Sequence, residues 1–327
     1  MSGFAASVER AVEAALRRDG PPILVPYCGY AEEEALVLIG RVVSAVRRDA
    51  PDPDQSRWVN FKQMASLFLT SEVGDVPVTA RSVTETTDAE GYVTLRVPRP
   101  KKAEGWVTVP ASIKGSADAP VEMRALVPRA DAAFGVISDI DDTMMQTGAH
   151  NLARNLWTTF TGNALTRRVF PDALDLMERL SEAGRNPVFY VSSSPWNLHS
   201  FLNKVFDRAG LPEGPMFLRD LGVSGSSVIG ASHRDHKGQA VDRIIAANPA
   251  LNFYLLGDTG QKDALVYRDA VKRYPGRIKA VILREPVKGS ARDSLSALLE
   301  IEAMGVPTHY ARSFANLPRR VAPPDGA

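Results

Sequence analysis

The sequence predicts an α/β fold, a doubly wound parallel sheet preceded by a β-rich, sandwich-like domain. Apolar, strand-like runs at 134–139, 187–191, 216–221, 253–257 and 278–283 alternate with helical patterns, the rhythm of parallel strands joined by crossover helices. The first half reads differently, as several short strands separated by turn residues. The third observation is Asp139-Ile140-Asp141-Asp142-Thr143, which follows the apolar run Phe134-Gly135-Val136-Ile137. Open parallel sheets bind ligands beyond the carboxyl ends of their strands, and residues two apart on a strand point the same way.

Residues 1–20 place Phe4, Val8, Val12 and Leu16 at helical spacing, so an amphipathic helix is expected, closed by Gly20-Pro21-Pro22. Glu9, Arg10, Glu13, Arg17 and Arg18 interrupt any continuous apolar core, which excludes a secretory signal there. No stretch approaches the length that spans a bilayer. Residues 21–128 are expected to form the β-rich domain. Runs at 36–39 and 42–43 are separated by Gly40 and Arg41. The strand expected over 76–83 contains Pro77, which suits an edge or a strand start. A turn over 87–91 precedes Tyr92, Thr94 and Arg96, which alternate with Val93, Leu95 and Val97. Further short strands are expected at 106–109 and 121–127.

Residues 129–315 carry the alternating pattern, entered through Arg129-Ala130-Asp131 as a linker. The clearest predicted helix starts at Ser194 as N-cap with Pro195 at the first helical position. Leu198, Phe201, Leu202, Val205 and Phe206 supply its core stripe, and Gly210 ends it. The Pro-rich, polar tail over 316–327 is expected to be disordered.

The 327 residues are enough for two domains, and 44% hydrophobic with 24% charged residues is ordinary globular composition. A net charge of +1 gives no global field for nucleic acid. The single cysteine, Cys28, excludes an internal disulfide framework, fits a cytoplasmic, reducing compartment, and reads as a small buried apolar residue.

Two carboxylates crowded at one strand end repel unless a cation or proton lies between them. Asp139 and Asp141 make chemical sense if one attacks phosphorus and the other handles the leaving-group proton. The plain alternative is a charged turn with an aspartate as helix N-cap. Other strand ends carry matching groups: Ser192, Ser193 and Ser194 after 187–191, and Asp258 in Gly257-Asp258-Thr259-Gly260-Gln261-Lys262-Asp263. Lys237 stands just before a predicted helix carrying Val241, Ile244 and Ile245. Phosphoryl transfer asks mainly for positioning and charge stabilisation. Asp139 is thus the candidate nucleophile, Asp141 the acid and then base, Ser192 a donor to a phosphoryl oxygen, and Lys237 the charge offset. Asp258 would complete an oxygen-rich site for magnesium. Taken singly, each has a bland reading: Ser192 satisfying backbone, Lys237 and Asp263 on solvated helix faces, Asp258 as a cap. Their joint order at strand ends favours a site.

Asp-x-Asp-x-Thr, then Ser, then Lys, then Gly-Asp-x-Gly-x-x-Asp resembles the motif order of the haloacid dehalogenase superfamily of phosphohydrolases. More narrowly, segments 138–143, 190–196, 257–263 and 274–277 are similar to the yeast actin-patch phosphatidate phosphatase family. Val25-Pro26-Tyr27-Cys28-Gly29-Tyr30 and Gly40-Arg41-Val42 look like segments of its bacterial relatives. The resemblance implies a magnesium-dependent hydrolase of phosphatidate or a related lipid phosphate, with peripheral contact to the membrane. It implies catalytic roles for Asp139, Asp141, Ser192 and Lys237, and metal ligation by Asp139, Asp258 and the backbone carbonyl of Asp141. Thr259 and Gln261 depart from the family pattern and put neither the nucleophile nor the metal site in doubt.

The stretch between Thr143 and Pro171 is a candidate cap, with Leu152, Leu156, Trp157 and Phe160 near one helical face and Arg154, Arg167 and Arg168 nearby. A helix packed on the domain is the competing reading. His233 and His236 are weak magnesium ligands, because that ion prefers oxygen. The glycine-serine run at 222–227 lacks the lysine of a P-loop. Two alternatives stand beside the lipid phosphatase: a phosphatase for soluble phosphomonoesters, and an inactive membrane-associated adaptor. The N-terminal domain reads as a targeting or interaction module, with no partner identified by its residues.

Overall fold

A computed structural model of the chain describes residues 21–44, 73–146, 169–219, 233–287 and 289–317. The helix expected over 1–20, most of the candidate cap, the run at 222–227 and the tail beyond 317 lie outside the described residues. The chain divides into two compact units, each built on its own sheet.

The first unit contains β1 (Pro22–Ala31), β2 (Ala35–Ser44), β3 (Pro77–Ala80), β4 (Val83–Thr86), β5 (Tyr92–Pro98), β6 (Gly105–Ile113) and β7 (Val121–Val127). They form a single seven-stranded sheet in the order β4-β3-β6-β7-β1-β2-β5, whose edge strands β4 and β5 come back together. The unit is β-rich and barrel-like. The runs at 36–39 and 42–43 are one strand, and Gly40 lies inside it without breaking it. A β-carbon on Gly40 would lie 3.1 Å from Leu24, Met123 and the Val25 carbonyl, so the glycine marks close approach. Pro77 opens β3, a strand start where a residue without an N–H is tolerated, and its carbonyl still accepts the Lys114 N–H at 2.8 Å. In β5, Val93, Leu95 and Val97 are buried while Thr94 and Arg96 are exposed, the period of two read from the sequence. The turn before it is fixed by Asp88, whose Oδ1 accepts the N–H groups of Glu90 and Tyr92, each at 2.9 Å. Cys28 is buried.

The second unit runs β8 (Gly135–Asp139), α1 (Pro171–Ser181), β9 (Val188–Pro195), α2 (His199–Ala209), β10 (Met216–Arg219), α3 (His233–Ala247), β11 (Phe253–Asp258), α4 (Asp263–Arg273), β12 (Ile278–Arg284), α5 (Arg292–Ala303) and β13 (Thr308–Ala311). Its sheet has the order β10-β9-β8-β11-β12-β13, all pairs parallel. The chain winds outward from β8 through β9 and β10, then returns to start β11 on the other side of β8. This doubly wound topology reverses between β8 and β11, and the carboxyl ends of those strands form its switch point. Both strands are buried along their whole length, which is why they read as continuous apolar runs. Phe134 and Tyr254 meet edge-to-face at 4.7 Å beneath them.

Two expectations need correction. The helix placed at Ser194 begins at His199: β9 continues through Pro195, and a 3-10 turn over Trp196–Leu198 intervenes. Leu198 holds the N-cap position without a side-chain cap, since a leucine side chain has no acceptor to offer. The expected core stripe is buried, and Gly210 ends the helix at φ 79°. Lys237 lies inside α3 rather than before it. β13 escaped the sequence pattern because Thr-His-Tyr-Ala is a short, half-exposed edge strand.

Candidate active site

Asp139 is the last residue of β8 and Asp258 the last of β11, and the two strands pair in parallel with Ser138 opposite Leu256. The switch point therefore delivers both carboxylates, each almost fully buried, to one place. Asp263, the first residue of α4, joins them: ligand oxygens of Asp139, Asp258 and Asp263 lie within 4.8 Å of one another. Lys237 reaches in from α3, with Nζ 2.5 Å from Asp139 Oδ1 and 2.6 Å from Asp263 Oδ1. Asp263 Oδ2 accepts the Asp258 backbone N–H at 3.1 Å. This fold-back depends on Gly257, since a β-carbon there would lie 2.7 Å from Asp263 Oδ2 and 2.8 Å from its Cβ.

One ammonium among three buried carboxylates leaves the cluster short of positive charge. Burial first, and then the Asp263 charge, hold the Asp139 carboxyl well above the usual range, despite Lys237. Burial followed by the Asp263 charge pushes Asp258 up to about 8. Burial alone would lower the Lys237 pKa, but Asp139 and Asp263 outweigh it and raise it. Asp258 Oδ1 accepts the N–H groups of Gly260 at 2.7 Å and Gln261 at 2.8 Å. Its Oδ2 is buried with no hydrogen-bond partner among the described residues. A divalent cation fits this donor set: all-oxygen, anionic in excess, with one carboxylate oxygen left over. The Asp141 carbonyl faces the same loop, with Gln261 Nε2 at 3.4 Å.

Asp139 Oδ2 accepts from the Thr143 hydroxyl at 3.2 Å. Asp141 is held separately. Ser192 Oγ donates to its Oδ2 at 2.6 Å, Ser194 Oγ lies 3.4 Å from the same oxygen, and the Ser194 N–H donates to Ser192 Oγ at 2.9 Å. Burial raises the Asp141 pKa and the Ser192 bond partly opposes it. The serine expected to cap a helix thus belongs to the carboxylate's cradle. Asp142, at φ 57°, turns the chain in the left-handed region that aspartate tolerates, and its N–H donates to the Met145 carbonyl at 2.9 Å.

The structure brings together Asp139, Lys237 and Asp258, and places Asp141 with Ser192 beside them through the β8 loop. Sequence reasoning left Asp263 between site and solvated helix face; it is fully buried. The signal was its place in Gly257-Asp258-Thr259-Gly260-Gln261-Lys262-Asp263. His236 stays outside the carboxylate cluster, and burial followed by the charges of Arg219, Arg243 and Lys237 lowers its pKa. Trp157, Phe160, Arg154, Arg167 and Arg168 lie outside the described residues, as does the His233 side chain.

The parallel sheet, its switch point and the strand-end carboxylates define a doubly wound α/β domain with a buried carboxylate site at its switch point. This domain resembles the catalytic domain of one phosphatidate phosphatase family: residues 134–285 match the family model described as phosphatidate phosphatase APP1, catalytic domain. The chain is 28% identical over 202 residues to phosphatidate phosphatase APP1 of Saccharomyces cerevisiae, covering 61% of this chain and 34% of that protein. It is 27% identical over 154 residues to an uncharacterized protein of Schizosaccharomyces pombe, covering 46% of this chain and 25% of that one. The chain spans about a third and a quarter of the length of these two curated relatives. Among solved structures, D,D-heptose 1.7-bisphosphate phosphatase from B. bronchiseptica, complexed with magnesium and phosphate, aligns at a TM-score of 0.34 and 15% identity, covering 56% of this chain and 94% of that chain.

Proposed function

We propose that this chain is a magnesium-dependent phosphoric monoester hydrolase acting on phosphatidate or a related lipid phosphate. The observation that carries the reading is the buried cluster of Asp139, Asp258 and Asp263 around Lys237, lying within the span that matches the catalytic-domain family. In this reading residues 129–315 are the catalytic part and 21–128 an accessory part.

Asp139 attacks phosphorus through a carboxylate oxygen, and the bond from phosphorus to the ester oxygen breaks. Asp141, whose raised pKa favours the protonated form, gives its proton to the leaving oxygen. The deprotonated Asp141 then takes a proton from a water that attacks the aspartyl-phosphate, releasing phosphate and restoring Asp139. Lys237 holds the nucleophile's orientation and offsets charge, while Asp263 anchors Lys237. Magnesium, held by Asp139, Asp258 and the Asp141 carbonyl, would neutralise charge on the phosphoryl oxygens. Ser192, which bonds Asp141 here, would serve the phosphoryl group after turning from it.

No described helix is long and apolar enough to cross a membrane. In this reading, which rests on the family resemblance, the protein works in the cytoplasm and meets its lipid peripherally, with Trp157 and Phe160 as the candidate lipid contacts. The deciding experiment is phosphate release from phosphatidate in mixed micelles, with magnesium and with chelator, for wild type and Asp139→Asn. Magnesium-dependent release lost in the variant is expected. Release only from a soluble aryl phosphate, still needing Asp139, would discard the lipid and keep the hydrolase. No release from either would discard both in favour of a non-catalytic role.

A further inference from the structure

Arg284 closes β12 directly opposite Asp258 in the sheet register, and it is only 4% exposed. A buried guanidinium is costly to desolvate, so the use of every side of this one is informative. Nε donates to the Thr143 carbonyl at 3.1 Å. Nη1 and Nη2 grip the two oxygens of Asp172, each at 3.0 Å, and Nη1 also reaches the Arg312 carbonyl at 3.1 Å. The rings of Phe170 and Phe314 lie 4.0 and 4.1 Å from the guanidinium carbon. The backbone of Arg284 is engaged too: its carbonyl accepts the Thr259 N–H, one residue beyond Asp258, at 2.9 Å.

These contacts converge on the reacting carboxylate. Thr143, whose carbonyl Arg284 holds, donates its hydroxyl to Asp139 Oδ2 at 3.2 Å. The chain leaves the site through Met145 and returns at Val169, where Met145 and Val169 pair and the Phe170 N–H donates to the Met144 carbonyl at 2.9 Å. Phe170 and Asp172 therefore belong to the returning segment, and Thr143 to the departing one. A third segment closes the clamp, since Asp172 Oδ2 also accepts the Ser313 hydroxyl at 2.7 Å and the Phe314 N–H at 2.6 Å. Only a planar, forked cation can bond a carboxylate at both oxygens, hold a carbonyl and stack between two rings at once.

We propose that Arg284, clamped by Asp172 and the Ser313–Phe314 segment, is a positioning residue that fixes the Thr143 carbonyl and through it the Asp139 carboxylate relative to the Asp258 loop. Its catalytic consequence rests on the reading of Asp139 as nucleophile; its structural consequence does not. Displacement of a reacting group by about 1 Å costs on the order of a hundredfold in rate, whereas substrate affinity set elsewhere is unaffected.

The test compares wild type with Arg284→Lys, which keeps the charge and removes the fork. Hydrogen exchange is followed over 140–145 and, as a control, over β11, and kcat and KM are measured on a soluble aryl phosphate per folded molecule. Exchange over 140–145 at least about tenfold faster, with β11 unchanged, and a kcat loss of about ten- to a hundredfold at a KM within about twofold, is the expected result. A folded variant with unaltered exchange over 140–145 and unaltered kcat overturns the proposal. Should the lysine variant not fold, Ser313→Ala removes one donor to Asp172 and is expected to lower kcat roughly threefold at constant KM. An unchanged kcat in that variant overturns the proposal equally. If the wild type hydrolyses no phosphomonoester, the hydrolase reading falls, and the exchange measurement alone decides the clamp.

Discussion

Asp263 holds the ammonium of Lys237 at 2.6 Å while the same ammonium lies 2.5 Å from Asp139. The cation is thus suspended between the proposed nucleophile and a carboxylate that has no reacting part of its own. Asp263 does two further things by standing first in α4: its charge complements the helix N-terminus, and its Oδ2 holds the backbone N–H of Asp258.

Asp263→Asn keeps the shape and removes the charge. Lys237 then loses one of two anchors, and the cluster loses one of three mutually repelling carboxylates. Activity is expected to fall by on the order of a hundredfold, as for loss of a preorganised electrostatic element. Thermal stability without metal is expected to hold or rise, because the removed charge was in excess. Turnover measured beside a melting curve checks both; a stability loss that accounts for the lost turnover would refute the anchoring role.

Gly257→Ala strikes the same arrangement from the backbone. The added methyl would meet Asp263 at 2.7–2.8 Å and Tyr267 at 3.0 Å, so α4 must shift or Asp263 must leave the site. Overpacking of this kind costs roughly 1–3 kcal/mol, and turnover should drop further than that loss alone explains. Denaturant midpoints compared with kcat give the check.

The parallel sheet was legible because β8 and β11 are buried on both faces and so written as unbroken apolar runs. The site was legible because the doubly wound topology puts strand ends together, making Asp139 and Asp258 neighbours by sheet order alone. What misled was local chemistry with two uses. Ser194-Pro195 is a sound helix start, yet the Ser194 hydroxyl bonds Asp141 and the strand runs on through Pro195. An aspartate opening a helix reads equally well as a solvated cap, and only the close approach permitted by Gly257 decides for Asp263. Arg284 gave no signal, because an arginine ending a strand is ordinary until Thr143, Asp172 and Phe314 are seen around it.

Ser192 tunes Asp141 as well as holding it. Burial raises the Asp141 pKa, and the hydroxyl donated at 2.6 Å opposes that rise by favouring the charged form. In Ser192→Ala the pKa is therefore expected to climb further. Asp141 as general acid must be protonated, so the alkaline limb of kcat/KM should move to higher pH. An unmoved limb in an active, folded variant would detach Asp141 from the acid role.

Asp258 links the site to stability. Its pKa is raised from 3.8 to about 8, first by burial and then by the Asp263 charge. A carboxyl whose folded pKa lies above its unfolded value stabilises the fold while it remains neutral. That contribution is complete below pH 3.8 and is lost as the pH rises toward 8. Without metal, then, wild type carries a penalty at neutral pH that Asp258→Asn does not. The variant should match wild type near pH 4 and exceed it increasingly up to pH 8. Magnesium should reverse the order, because a cation bound only by the folded state stabilises wild type by mass action while the amide binds it poorly. Melting temperatures across this pH range, in chelator and in excess magnesium, test both halves. Equal pH profiles in chelator would remove the charge excess on which the metal assignment stands.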